Sequence, residues 1–269
     1  MKTQIVASIA TLPVALAGVF FAPQSAGAAT FGTSWDNNTA LCNNRPDCSL
    51  QVLFDELTVS GPGIDTVNDQ TGFDLFTNTA TGNATGTFML EIAGFAPNNR
   101  FGVYNSNGDM AELFDGANNE GDGFISMFLD NGNLRVTTES DEDFNDYARA
   151  EYQNFGNIFG FYLTNGAGQT FYTENSRNGG YQQAVVYQGD DQTVMDLPGR
   201  QAGLFTDNEF IIAFEDLWVG GHTDRDYNDL VVMVESIAPA SVPEPTTVFG
   251  LGAVAVGLVA SRRQSKKNS

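Results

Sequence analysis

From about residue 29 to residue 242, apolar residues come in short runs separated by Gly, Asn and Asp at spacings of roughly 8 to 15 residues, the rhythm of strands joined by turns. The clearest expected strands are Leu50–Val59, Thr87–Ala93, Phe101–Tyr104, Phe124–Leu129, Ile158–Leu163, Ala184–Tyr187, Phe210–Phe214 and Leu230–Val234. Turn signals stand between them at Gly61-Pro62-Gly63, Asn107-Gly108, Asp115-Gly116, Asn131-Gly132 and Asn178-Gly179-Gly180. Phe, Val and Ile fill the runs, and the chain holds 21 Phe. This pattern predicts an all-β fold of the β-sandwich or jelly-roll-like kind. Phe210–Phe214 and Leu230–Val234 are apolar at every position, so both faces are expected to be buried, as in central strands.

One stretch departs from the alternation. Ser140 with Asp143 has the spacing of a capping box, and Phe144, Tyr147, Ala148, Tyr152 and Phe155 recur at helical spacing. A short helix and an irregular loop fit it about equally. A boundary is expected there, between an upstream β lobe over 29–140 and a β unit over 156–236, which either share a core or fold apart. Asp141 to Asp146 and Asp224 to Asp229 both read D-x-D-aromatic-N-D, but their flanks differ, which favours coincidence over duplication.

Charge narrows the functional classes. The chain has 33 acidic residues against 12 lysines and arginines. Only Glu244 among the acids lies outside residues 29–242, and every lysine does, so the region between carries a net charge of about −25. Nucleic acid is excluded as a partner, because binding it means neutralising phosphates with cations. An acidic surface favours solubility and divalent cations. Cys42 and Cys48 are the only cysteines and are expected to close a small disulfide loop around Arg45-Pro46-Asp47; a cysteine-only metal site would need about four ligands.

The candidate chemistry lies between the two apolar strands. Glu215 and Asp216 end the first, Asn228 and Asp229 begin the second, and Asp224 and Asp226 lie on the connection. A hairpin would gather five carboxylates and an amide oxygen, with Arg225 the only nearby cation. Two like charges 4 Å apart repel by about 4 kcal/mol at an effective dielectric of 20. A divalent cation answers that repulsion. Calcium is expected, since it takes six to eight hard oxygen ligands in flexible geometry. The competing reading satisfies the carboxylates with Arg225, backbone N–H groups and water. Asp224, Asp226, Asn228 and Glu235 fit part of an EF-hand pattern, but Asp229 occupies the glycine position and a strand over residues 230–234 carries Glu235 away from the loop, so an EF-hand is rejected.

The ends read as processing segments. Lys2, the apolar stretch Ile5 to Ala22 and the Ala26-Gly27-Ala28 site predict a signal peptide over 1–28, cut by signal peptidase. At the other end, Val242-Pro243-Glu244-Pro245 precedes an apolar run from Thr246 to Ala260, and Arg262, Arg263, Lys266 and Lys267 follow. The run spans roughly 22 Å as a helix, and the flanking cations can snorkel to lengthen its reach. This three-part order over 242–267 resembles the PEP-CTERM sorting tail of bacterial surface proteins. The resemblance implies a single transmembrane sorting helix recognised by an exosortase-type protease, and then release or attachment to extracellular polymer. The expected location is therefore the cell surface or extracellular matrix.

A second resemblance rests on Phe214-Glu215-Asp216-Leu217, Gly220-Gly221 and Asp224 to Val232. These residues look like the signature of the bacterial family DUF 4114. Phe159-Gly160-Phe161-Tyr162-Leu163 and Thr170-Phe171-Tyr172-Thr173 resemble its opening strands, and the likeness runs from about Gly156 to Glu235. Glu215, Asp216, Asp224, Asp226, Asn228 and Asp229 match the signature one for one, while Tyr227 stands where Phe is common. The family implies a β-rich domain on exported proteins, without an established activity. Residues 87 to 115 also look like the upstream lobe of such proteins.

No catalytic motif is found. The single histidine, His222, lies between Gly221 and Thr223 without a serine in a nucleophile-elbow context. A glycosidase needs two carboxylates 5 to 10 Å apart, and so acidic a chain makes that count uninformative. Trp35 and Trp218 could stack on sugar rings. The expectation is a non-catalytic, calcium-stabilised exported β protein. The alternative is a calcium-dependent carbohydrate-binding module, with extracellular polysaccharide as partner; a hydrolase ranks third.

Overall fold

A computed structural model describes residues 29–31, 49–79, 84–90, 98–115, 123–128, 132–139, 147–198, 200–221 and 223–240. One α-helix, α1 (Leu50–Leu57), opens the main body. The strands follow as β1 (Thr58–Ser60), β2 (Gln70–Thr71), β3 (Phe76–Asn78), β4 (Ala84–Leu90), β5 (Arg100–Asn105), β6 (Met110–Phe114), β7 (Gly123–Phe128), β8 (Leu134–Glu139) and β9 (Tyr147–Tyr152). Then come β10 (Ile158–Thr164), β11 (Thr170–Tyr172), β12 (Ala184–Gln188), β13 (Val194–Met195), β14 (Gly203–Leu204), β15 (Glu209–Phe214), β16 (Leu230–Glu235) and β17 (Ile237–Pro239). A 3₁₀ turn, Asn175–Asn178, lies between β11 and β12.

The molecule is mostly β, and its strands pair antiparallel. An eight-stranded sheet runs β2-β12-β15-β16-β4-β7-β8-β9, and a six-stranded sheet runs β17-β3-β10-β5-β6, with β11 also on β10. A small third sheet holds β1-β13-β14. Both large sheets combine strands from before residue 140 with strands from after residue 156: β16 pairs with β4, and β10 with β3 and β5.

The two large sheets bury a common core. From one come Phe76, Phe101, Val103, Phe159, Phe161 and Leu163; from the other come Val186, Phe210, Ile212, Phe214, Val232 and Val234. A second apolar layer lies on the outer face of the larger sheet. There the alternate residues Val185, Tyr187, Ile211, Ala213, Val231 and Met233 meet Leu50, Leu53, Phe54 and Leu57 of α1. This explains the unbroken apolar runs. β12, β15 and β16 are covered on both faces, so no position of theirs except the ends can be polar.

Two sequence expectations are corrected. Residues 50–59 were expected to form a strand, but Leu50–Leu57 is helical and only Thr58–Ser60 is extended. Leu50, Leu53, Phe54 and Leu57 fall at i, i+3, i+4 and i+7, which makes one apolar stripe, and each buried side chain is worth roughly 1.5–3 kcal/mol against exposure. Ser49 caps the helix by accepting from Val52 N at 3.3 Å. The helical reading across 140–155 fails in the part that is described. Tyr147–Tyr152 is β9, an edge strand paired antiparallel with β8 along its whole length, with Arg135 opposite Glu151 at 3.4 Å. The Ser140 and Asp143 cap lies outside the described residues.

Several other expectations also lie outside them: the leader, Cys42 and Cys48, Trp35, His222, the Val242-Pro243-Glu244-Pro245 motif, and the tail with Arg262, Arg263, Lys266 and Lys267. Among the described residues no helix is long and apolar enough to cross a membrane.

Candidate metal centre

The β15–β16 hairpin positions the acidic loop. Register Phe214↔Leu230 closes the ladder, so Glu215 and Asp216 leave one strand beside the residues that enter the other. Asp216 N donates to Asp229 Oδ2 at 2.8 Å and locks that mouth. Beyond it, carboxylate oxygens of Glu215, Asp224 and Asp226 lie within 4.8 Å of one another. Asp216 and Asp229 stand outside this triad, bonded to each other. Asn228 is buried beside it, its N–H donating to Asp226 Oδ1 at 3.3 Å.

The loop is held in an uncommon backbone shape. Arg225 and Tyr227 have φ of 58° and 56°, left-handed values that cost non-glycine residues roughly 1 kcal/mol or more each. Tyr227 is fixed by its hydroxyl on Gln182 O at 2.9 Å and by its ring edge-on to Phe31 at 5.2 Å. Its N–H donates to Glu215 Oε1 at 2.8 Å, while Thr223 Oγ1 donates to Glu215 Oε2. Gln183 braces the start of the loop, donating to Leu217 O at 2.9 Å and accepting from Val219 N at 2.7 Å.

The electrostatics are unfavourable without a counter-charge. Glu215 is fully buried. Burial pushes its carboxyl up to about 7, and Asp224 and Asp216 add to the rise against the two hydrogen bonds it accepts. Burial raises Asp216 also, with Asp224 adding to it. Asp229 is held well above the usual carboxylate range by burial and then by Glu215 and Asp216. The loop's own cation does not answer this. Arg225 donates to Val219 O at 2.8 Å, and among the described residues no ion pair joins it to a carboxylate.

Two amides that no local motif singles out also reach the site. Asn165 Nδ2 donates to Asp216 O at 2.7 Å, and Asn99 Nδ2 donates to Asp216 Oδ2 at 3.3 Å. Both are buried polar residues at the end of the six-stranded sheet. Thr223 was adjacent in sequence, and its place between Gly221 and Asp224 could have marked it as a loop donor.

Residues 154–237 match the family model described as a domain of unknown function, DUF4114. The match covers less than half of the chain, and all six expected metal-site residues fall inside it. No curated protein matches the chain, and no solved structure does. Trp218 also belongs to the DUF4114 segment. It is 37% exposed, with Tyr181 at 4.9 Å and Phe171 at 6.4 Å between ring centroids. The indole lies against Gly220, where a Cβ would collide with it.

Proposed function

We propose that the chain is an exported, non-catalytic β protein whose DUF4114 segment is stabilised by calcium in the 215–229 loop. The observation that carries this reading is the convergence of Glu215, Asp224 and Asp226 within 4.8 Å while Arg225 turns away. The donors are hard oxygens of a buried glutamate and two aspartates, the set calcium favours over softer metals. Asn228 and Asp229 adjoin the triad, the first through its N–H on Asp226 Oδ1 and the second through the influence of Glu215 and Asp226 on its carboxyl. The ion would supply positive charge and hold the hairpin mouth together; the chain's residues supply the rest of the loop geometry.

Burial also argues against a hydrolase. A general acid must meet its substrate, and Glu215 has no exposed surface. The test is thermal unfolding of the full chain in EDTA and with added calcium. Calcium should raise the melting temperature; identical curves would end the proposal.

Export and sorting rest on the two terminal segments. Signal peptidase would act after Ala28, and an exosortase-type protease would act at the Val242–Pro245 motif, leaving the protein at the surface or in the matrix. Replacing Pro243 and Pro245 by Ala should leave an uncleaved, membrane-retained form visible by fractionation.

One observation favours a second reading. Trp218 of the 215–229 loop and Tyr181, just before β12, form an exposed aromatic pair suited to stacking on sugar rings. Binding to extracellular polysaccharide that is lost in EDTA and in Trp218→Ala would establish a carbohydrate-binding module; binding indifferent to both would dismiss it.

A further inference from the structure

Asn99 lies one residue before β5, upstream of the DUF4114 segment. The β5–β10 register pairs Arg100 with Thr164, and its continuation sets Asn99 opposite Asn165. Both amides leave the end of the six-stranded sheet and grip Asp216, which follows β15 of the eight-stranded sheet. Their oxygens differ. Asn165 Oδ1 accepts from Ala167 N at 3.1 Å and Gln169 N at 2.9 Å. Among the described residues Asn99 Oδ1 has no hydrogen-bond partner, and it is buried on a residue only 3% exposed.

A buried amide oxygen left unmet is costly, because it has given up its water without gaining a donor. The group this amide does touch is a carboxylate, which can accept but not donate. Asp216 in turn lies within electrostatic reach of Asp224 and is bonded to Asp229. A hard cation satisfies the amide oxygen and the surplus carboxylate charge together, and neutral amide oxygens are ordinary calcium ligands.

We infer that Asn99 Oδ1 is a ligand for a divalent cation of the calcium type held with Asp216, so that the metal centre is completed from outside the DUF4114 segment and ties the two large sheets together. The inference rests on the calcium reading of the 215–229 loop and extends it to a residue 117 positions upstream of Asp216.

The experiment is a calcium titration of the full chain followed by melting temperature, in wild type, Asn99→Ala and Asn99→Asp. Asn99→Ala should lower the melting temperature in EDTA, through the lost hydrogen bond to Asp216, and in addition weaken the calcium response at least tenfold in concentration. Asn99→Asp should melt lower than wild type in EDTA, through repulsion with Asp216, and recover in calcium, giving a larger shift than wild type. If Asn99→Ala does not fold, Asn99→Asp decides alone. Wild-type-sized shifts in both variants, with Asn99→Asp weakened equally in EDTA and calcium, would mean that the oxygen faces water, and would overturn this inference while leaving the loop reading intact. No shift in wild type would remove both.

Discussion

Two regions of this molecule gather acidic side chains against buried aromatics, and they balance the charge differently. At Tyr104 and Tyr172 the counter-charge is built in. Arg177 Nε meets Glu174 Oε2 at 2.6 Å, and its guanidinium lies 4.6 Å over the Tyr104 ring and 5.5 Å over Tyr172. Tyr104 donates its hydroxyl to the same carboxylate oxygen at 2.9 Å. In the 215–229 loop the arginine faces a backbone carbonyl, and the carboxylates face one another. Glu174 and Arg177 are three residues apart on one 3₁₀ turn, so the cation is delivered by local geometry. Arg225 sits in a left-handed residue between two aspartates, and that backbone turn carries its side chain toward Val219. A self-neutralised cluster stiffens a fold unconditionally; an unneutralised one makes stability depend on what is in solution.

The largest expected effect breaks the second cluster. At a hundredfold excess over Kd a bound ion adds about 2.7 kcal/mol, or roughly 5–10 °C for a domain of this size. Asp226→Ala should erase that calcium-dependent shift in a melting experiment. Arg177→Ala strikes the first cluster. It removes an ion pair and two ring contacts, and should cost about 1–2 kcal/mol in EDTA and calcium alike by urea unfolding.

A smaller effect appears with pH. Burial, with Glu174 beside it, pushes the Asp74 carboxyl up to about 6 from an ordinary 3.8. The folded chain then holds a proton that the unfolded chain has lost, so this residue's contribution to stability rises as pH falls from about 6 toward 4, and is lost as pH climbs back. Asp74→Asn should flatten that part of the wild-type stability profile and stabilise the chain at pH 7. The smallest effect sharpens the contrast. Arg225→Gly relieves the left-handed strain and removes one hydrogen bond, so net stability should move by less than about 1 kcal/mol and the calcium shift should persist. Loss of the calcium shift in that variant would show that the arginine is part of the charge balance after all.

What the sequence reveals here is set by locality. The acidic loop, its flanking strands and the antiparallel β class all follow from runs and turns within a few residues. The double-sided burial of Phe210–Phe214 is legible because no polar residue interrupts it, and both faces are covered as expected. α1 is not, because an apolar stripe at helical spacing also reads as a continuous run when Val52 falls inside it. β9 is missed for a related reason. Ala148 and Tyr152, four residues apart, share a face in a helix and in a strand alike, and the neighbour β8 decides between them. Asn99 and Asn165 carry no local mark at all. Their meeting at Asp216 exists only after the two sheets have packed.

The helix α1 has one more consequence. It covers Val185, Ile211, Val231 and Met233, the side of the central strands facing away from the second sheet. A fragment trimmed to residues 154–237 would leave that wall bare, and would strip β12 of β2 and β16 of β4, opening both flanks of the β12-β15-β16 trio to strangers. The shortest self-sufficient version of this protein therefore begins no later than Ser49, and similarity to a recurring segment marks only the part of the molecule that recurs.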